Sequence, residues 1–141
     1  MPLRFDLAAF DRLYIGKSVI MNSHERAYFF VEGKQPILRS KHYLAPSAAD
    51  TWLEKLYCCI QQMYLEEAAE KYEGSYLELR VHALEEAPSL YLEIMAADEL
   101  IKAGNYYKAL RNLKKFIRYQ AFQVERVPPE RYVPRVAIRK R

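Results

Sequence analysis

The chain has 141 residues, 51% of them hydrophobic, only four glycines and a formal net charge of +4. Such a composition excludes a disordered chain, and no apolar run approaches the roughly 20 residues that a membrane-crossing helix needs. The length suits one domain able to bury about two-thirds of its unfolded surface.

The first 44 residues read as β-structure. Leu3, Phe5 and Leu7 alternate with other residues, as do Leu13 and Ile15. Gly16-Lys17 marks a turn before Val19-Ile20, and Asn22-Ser23-His24-Glu25 has the look of a hairpin loop. Arg26 to Glu32 is rich in strand formers, Gly33 to Pro36 supplies another turn, and Ile37 to Arg39 is a short last strand. Short strands joined by tight turns predict an antiparallel meander with one face buried.

The hydrophobic period then changes. Pro46-Ser47, with Asp50 three residues after the serine, predicts a capped helix start. Trp52, Leu56, Cys59, Ile60, Met63 and Leu65 carry helical spacing to about Lys71, and Gly74 is expected to break or bend the helix. Tyr76 to Leu84 reads as a second, shorter helix, although its alternation also suits a strand. Pro88 fits a first helical turn, so a third helix runs from about Ser89 to Ala103 with Leu90, Ile94, Ala97 and Ile101 on one face. Gly104 closes it, and Asn105 opens a last helix that ends near Gln123. The stretch from Ala97 to Leu110 has the look of half a tetratricopeptide repeat. Residues 124–141, with Pro128, Pro129 and Pro134, form an extended tail. The expected architecture is α+β: one domain over 1–123, with a small antiparallel β-unit (1–44), three to four helices (45–123) and a basic tail.

Charge is divided sharply along this plan. Residues 1–45 carry net +3, residues 46–104 net −8, and residues 105–141 net +9, from 11 Lys or Arg against Glu125 and Glu130. On a helical wheel Lys108, Arg111, Lys114, Lys115 and Arg118 fall within about a third of the circumference, opposite Ala109, Leu110, Leu113, Ile117 and Ala121. Tyr107, Tyr119 and Phe122 lie on or beside that basic arc. Phosphates call for guanidinium forks and point charges, and unstacked bases for flat π-surfaces; this face offers both. Arg126, Arg131, Tyr132, Arg135, Arg139, Lys140 and Arg141 extend it into the tail. An ordinary solvated helix face mixes charge signs, whereas Asn105 to Val124 contains no acid. Three partners fit: a nucleic acid, a protein with an acidic face, or the chain's own acidic segment, met within the fold or across a homodimer.

Enzymatic signatures are lacking. Glu66, Glu67, Glu70 and Glu73 are spaced to share a helix side, yet no His completes a metal-binding set, and a solvated face is expected. His24, His42 and His82 are far apart and unrelated to Cys58 and Cys59 by any zinc spacing. No nucleophile motif, Gly-rich phosphate loop or cofactor motif occurs. Cys58 and Cys59, as sequence neighbours, read as reduced buried thiols of a cytoplasmic protein. Most of the twelve tyrosines are expected to be half-buried, with the hydroxyl hydrogen-bonded.

Several segments together resemble the flagellar biosynthesis repressor family FlbT of alphaproteobacteria. They are Asp11-Arg12-Leu13-Tyr14-Ile15-Gly16-Lys17-Ser18-Val19-Ile20-Met21-Asn22, Pro36-Ile37-Leu38-Arg39-Ser40-Lys41, Asp50-Thr51, Tyr57, Ile60-Gln61 and Met63-Tyr64-Leu65, with Arg26-Ala27 between the first two. The resemblance implies a regulator that acts after transcription, associating with the 5′ untranslated region of flagellin mRNA and promoting its decay, with positive regulation in some relatives. It also implies a functional tie to the small protein FlaF and to flagellin. It carries no residue-level RNA-binding motif. The basic residues named above are therefore candidates from charge and periodicity alone, and a non-enzymatic role is expected, with any nuclease recruited from outside.

Overall fold

The computed structural model describes residues 2–125, with side chains in the last helix described as far as Ile117. The tail, and with it Arg126, Arg131, Tyr132, Arg135, Arg139, Lys140 and Arg141, lies outside the described residues.

Five short strands come first: β1 (Leu3–Leu7), β2 (Arg12–Ile15), β3 (Ser18–Met21), β4 (Ala27–Val31) and β5 (Ile37–Arg39). They pair antiparallel, but not as a meander. β1 pairs with β4, and a separate sheet has the order β3-β2-β5. The tight link is β2–β3, where Gly16 sits at φ +55° and a Cβ would come within 2.8 Å of Gln35 Oε1. A side chain there would meet left-handed strain and push the end of the Gln35 side chain aside. Between β1 and β2 the chain swings aside through Phe10 at φ 64°. Asn22 stitches this crossing: its amide donates to the carbonyls of Leu7 (3.1 Å), Ala8 (3.0 Å) and Glu25 (2.8 Å). The supposed hairpin loop at 22–25 is thus the joint between two sheets. Phe5, Leu7 and Leu13 form a small core beneath them.

Four helices follow: α1 (Trp52–Glu66), α2 (Ala69–Glu86), α3 (Tyr91–Lys102) and α4 (Tyr106–Glu125). Pro46–Ala48 is only a 3-10 turn, and the capping box belongs to Thr51 and Glu54. The Thr51 hydroxyl accepts from the Glu54 amide (3.1 Å), and Glu54 Oε1 accepts from the Thr51 amide (2.9 Å). Glutamate reaches back to the cap amide, which is why this pair sets the start and the Ser47–Asp50 pair does not.

The expected break at Gly74 is also displaced. α1 stops at Glu66, Glu67 turns left-handed at φ 53°, and α2 runs unbroken through Gly74. Nothing lies within 4 Å of a Cβ at Gly74, so the residue weakens an exposed helical position without interrupting it. Tyr76 to Leu84 is helical, inside this longer element. The break also distributes Glu66, Glu67, Glu70 and Glu73 over two helices and their junction, so they do not share one helix side.

Both later helices follow the sequence pattern. Leu90, Ile94, Ala97 and Ile101 are buried on one face, Gly104 reverses the chain at φ +81°, and the Asn105 side chain accepts from the Lys108 amide at 3.3 Å. Ala109, Leu110, Leu113 and Ile117 bury the inner stripe of α4. α1 packs on both α2 and α4 and forms the centre of the larger core. Within that core Asp98, 2% exposed, meets the Tyr76 hydroxyl at 2.5 Å, Arg80 Nη1 at 2.7 Å and Lys102 Nζ at 3.2 Å. Among the described residues no helix is long and apolar enough to cross a membrane, and no cluster of His, Cys, Asp or Glu could hold a metal ion.

Candidate nucleic-acid interface

The site begins with an unusual face of α1. Its polar side chains bond to main chain fourteen to twenty-seven residues earlier in the sequence, not to other side chains. Tyr64 accepts from the Ile37 amide (3.2 Å) and donates to the Ile37 carbonyl (3.1 Å). Gln61, fully buried, accepts from the Leu44 amide (2.9 Å) and donates to the Leu44 carbonyl (2.8 Å). The Tyr57 hydroxyl donates to the His42 carbonyl, and Cys58 Sγ donates to the Leu44 carbonyl at 3.4 Å. Burial raises the Tyr64 phenol above its ordinary value, so the hydroxyl keeps the proton that it donates. Burial likewise pushes both thiols up to about 11, so Cys58 and Cys59 are free, protonated and unreactive.

These bonds fix the 3-10 turn Ser40–His42, and Tyr43 stacks on Tyr14 with ring centroids 3.7 Å apart. The turn packs against α4. Between them lies a cleft of about 570 Å³. Arg39, Lys41 and His42 line one side, and Tyr107, Arg111, Lys114 and Lys115 line the other. Five permanent cations share this space without a carboxylate in its walls. The Lys114 ammonium also lies 5.4 Å from the Tyr57 ring centre, a cation–π contact that holds it at the cleft floor. Tyr107 is 37% exposed, with its ring 6.2 Å from both His42 and Tyr64.

Of the residues singled out in the sequence, the structure brings Arg111, Lys114 and Lys115 together here. Lys108 is exposed on the same helix but does not line the cleft. Arg118, Tyr119 and Phe122 belong to the last turns of α4, with side chains outside the described residues. The opposite wall, Arg39, Lys41 and His42, is absent from the periodicity argument. Its signal was the compact run Arg39-Ser40-Lys41-His42, which has no helical period to draw attention.

Among the described residues, none of Lys108, Arg111 and Lys115 is in an ion pair. The acidic segment instead makes its pairs locally, Asp98 with Arg80 and Lys102, and Glu66 with Lys71. Within the described fold, the −8 segment therefore does not neutralise these three cations.

The fold and its cleft define a small α+β protein that holds a clustered, acid-free cationic surface beside an exposed aromatic ring. The family model "Flagellar protein FlbT" matches residues 3–122, and the chain belongs to that family. A probable flagellum biosynthesis repressor protein FlbT of Rhodopseudomonas palustris is 42% identical over 118 residues, covering 84% of this chain and 94% of its own length. One from Bradyrhizobium diazoefficiens is 32% identical (85% and 83% covered), and the flagellum biosynthesis repressor protein FlbT of Caulobacter vibrioides is 28% identical (85% and 87%). No solved structure matches.

Proposed function

We propose that this chain is a regulator of flagellum synthesis that binds the 5′ untranslated leader of flagellin mRNA and promotes its decay. The relatives' names support the flagellar role, and the acid-free cationic cleft with Tyr107 at its edge is the observation that supports a polyanionic ligand. On this reading Arg111, Lys114 and Lys115, together with Lys108 and Arg118, contact phosphates, and Tyr119 and Phe122 stack on unpaired bases. Arg126, Arg131, Arg135, Arg139, Lys140 and Arg141 add affinity that falls steeply with salt. The protein is cytoplasmic and non-catalytic, and a recruited nuclease cuts the transcript.

Filter binding of the purified protein to flagellin leader RNA and to a scrambled RNA of equal length, at two salt concentrations, tests the reading. Leader-selective, salt-sensitive binding is expected. Exchanging Lys115 and Arg118 together for Glu should remove it on the order of 100-fold, with unfolding curves unchanged. Equal or absent binding to both RNAs overturns the assignment. A second reading, a protein-interaction module acting on the mRNA indirectly through flagellin, FlaF or another regulator, draws on the exposed Val19, Ile20 and Met21 of β3. A salt-insensitive complex with one of these proteins would favour it. Light scattering at low and high salt would reveal a homodimer held by the opposed charges.

A further inference from the structure

The basic cleft does not end at Arg39 and Tyr107. Both side chains also line a neighbouring cavity of about 480 Å³, whose other walls include Leu3, Phe5, Ile37 and Tyr64. The two cavities therefore adjoin, and one groove runs from β1 across β5 to α4. Its α4 end carries Lys41, Arg111, Lys114 and Lys115; its β1 end is chiefly aromatic and aliphatic, with Arg4 and Gln35 among its walls. Arg39 stands at the junction, with its guanidinium 4.8 Å from the Phe5 ring centre.

We propose that this groove is a site for an unpaired stretch of RNA, with a base lodged in the β1 end and the adjoining phosphates along the α4 end. The inference rests on the RNA reading above and adds to it the strandedness of the ligand and a contribution from the β-unit. The chemistry is divided as a nucleotide is divided. A phosphodiester is met by guanidinium forks and ammonium groups, and a base by ring faces and by an amide that both donates and accepts, which Gln35 supplies in the same wall. Each cavity is within the range of about 300–1,000 Å³ that encloses a small organic ligand. A double helix keeps its bases paired and stacked inside, so none can enter a recess between two walls. Only a strand with a splayed base reaches both ends at once. An acidic peptide with an aliphatic anchor is less suited. The β1 end includes the rings of Tyr64 and Tyr107 and the guanidinium of Arg39, flat groups that favour a planar base over an aliphatic anchor.

The test is fluorescence anisotropy of the full chain with three labelled probes: a mixed-sequence RNA strand incapable of self-pairing, a blunt RNA duplex, and an abasic strand of the same length. The single strand should bind about tenfold more tightly than either of the others. Tyr107→Ala, at a partly exposed position, should remove that advantage, and Tyr107→Phe should restore it. Equal affinity for all three probes with a neutral Tyr107→Ala would overturn the inference and leave the RNA reading standing on charge alone. Tighter binding of the duplex would do the same. No binding to any probe, with binding to polyglutamate, would overturn both.

Discussion

The two longest helices carry charge of opposite sign and use it in opposite ways. α2 is acidic, and several of its charged groups are committed to neighbours. Arg80 reaches Asp98 on α3, Lys71 pairs with Glu66 at the end of α1, and Glu86 accepts from the Trp52 amide at 3.0 Å. α4 is basic, and its exposed Lys108, Arg111 and Lys115 are in no ion pair among the described residues. Charge bonded within the fold reports on architecture; charge clustered and left open costs repulsion that counterions or an anionic ligand relieve. Local pairing, more than net sign, separates the scaffold from the open cationic surface.

The comparison breaks first at Asp98. Asp98→Ala should cost about 3 kcal/mol in urea unfolding, because it leaves Arg80 and Tyr76 without their shared acceptor. The pH dependence has a definite sign. Burial alone would raise this carboxyl, but hydrogen bonds from Tyr76, Lys102 and Arg80 outweigh it and hold the group below its ordinary value. Its stabilisation is therefore complete above the unfolded value, about 3.9, and is lost as pH falls through the lowered folded value. Asp98→Asn should flatten that acid limb in thermal melts followed from pH 6 downward.

Next comes the clamp under the cleft. Gln61→Leu leaves the Leu44 amide without its acceptor and the Leu44 carbonyl with only the weak Cys58 thiol donor, and should cost about 2 kcal/mol. By loosening the Ser40–His42 turn it should also weaken RNA binding, whereas Asp98→Asn, at a temperature where it is folded, should not. Equal RNA affinity in folded Gln61→Leu would separate the clamp from the site. A smaller effect is expected at Gly74, where Ala should stabilise by about 0.5–1 kcal/mol without touching RNA affinity. Smallest is the effect of thiol reagent at pH 7: Cys58 and Cys59 should react only as fast as the domain opens, a rate that a plot against urea would show.

Much of α3 and α4 was legible in the sequence because their signals are local. The stripe from Leu90 to Ile101, the Gly104-Asn105 junction and the apolar face of α4 each depend on residues within a few positions of one another. The β-unit was legible as strands but not as sheets, since the pairing of β1 with β4 depends on Asn22 bridging Leu7, Ala8 and Glu25 across the chain. Gly74 misled because a flexible residue was read as a break, while the real one lies at Glu67, where the chain turns left-handed. The basic face was visible on α4, but its facing wall was not. Arg39, Lys41 and His42 are held in place by Gln61, Tyr64 and Tyr57, and such contacts leave no period to read.

The bonds from Gln61 and Tyr64 to the main chain have a kinetic consequence. Each side chain supplies a donor and an acceptor to one peptide segment, much as a neighbouring strand would. The turn that carries Lys41 thereby gives up its conformational freedom during folding and has little left to lose when a ligand arrives. A recess so prepared does not wait for its walls to assemble. Capture of an anion should be limited by diffusion and orientation, with an on-rate steered by the cationic field that drops as ionic strength rises, and with little change in the rate of release.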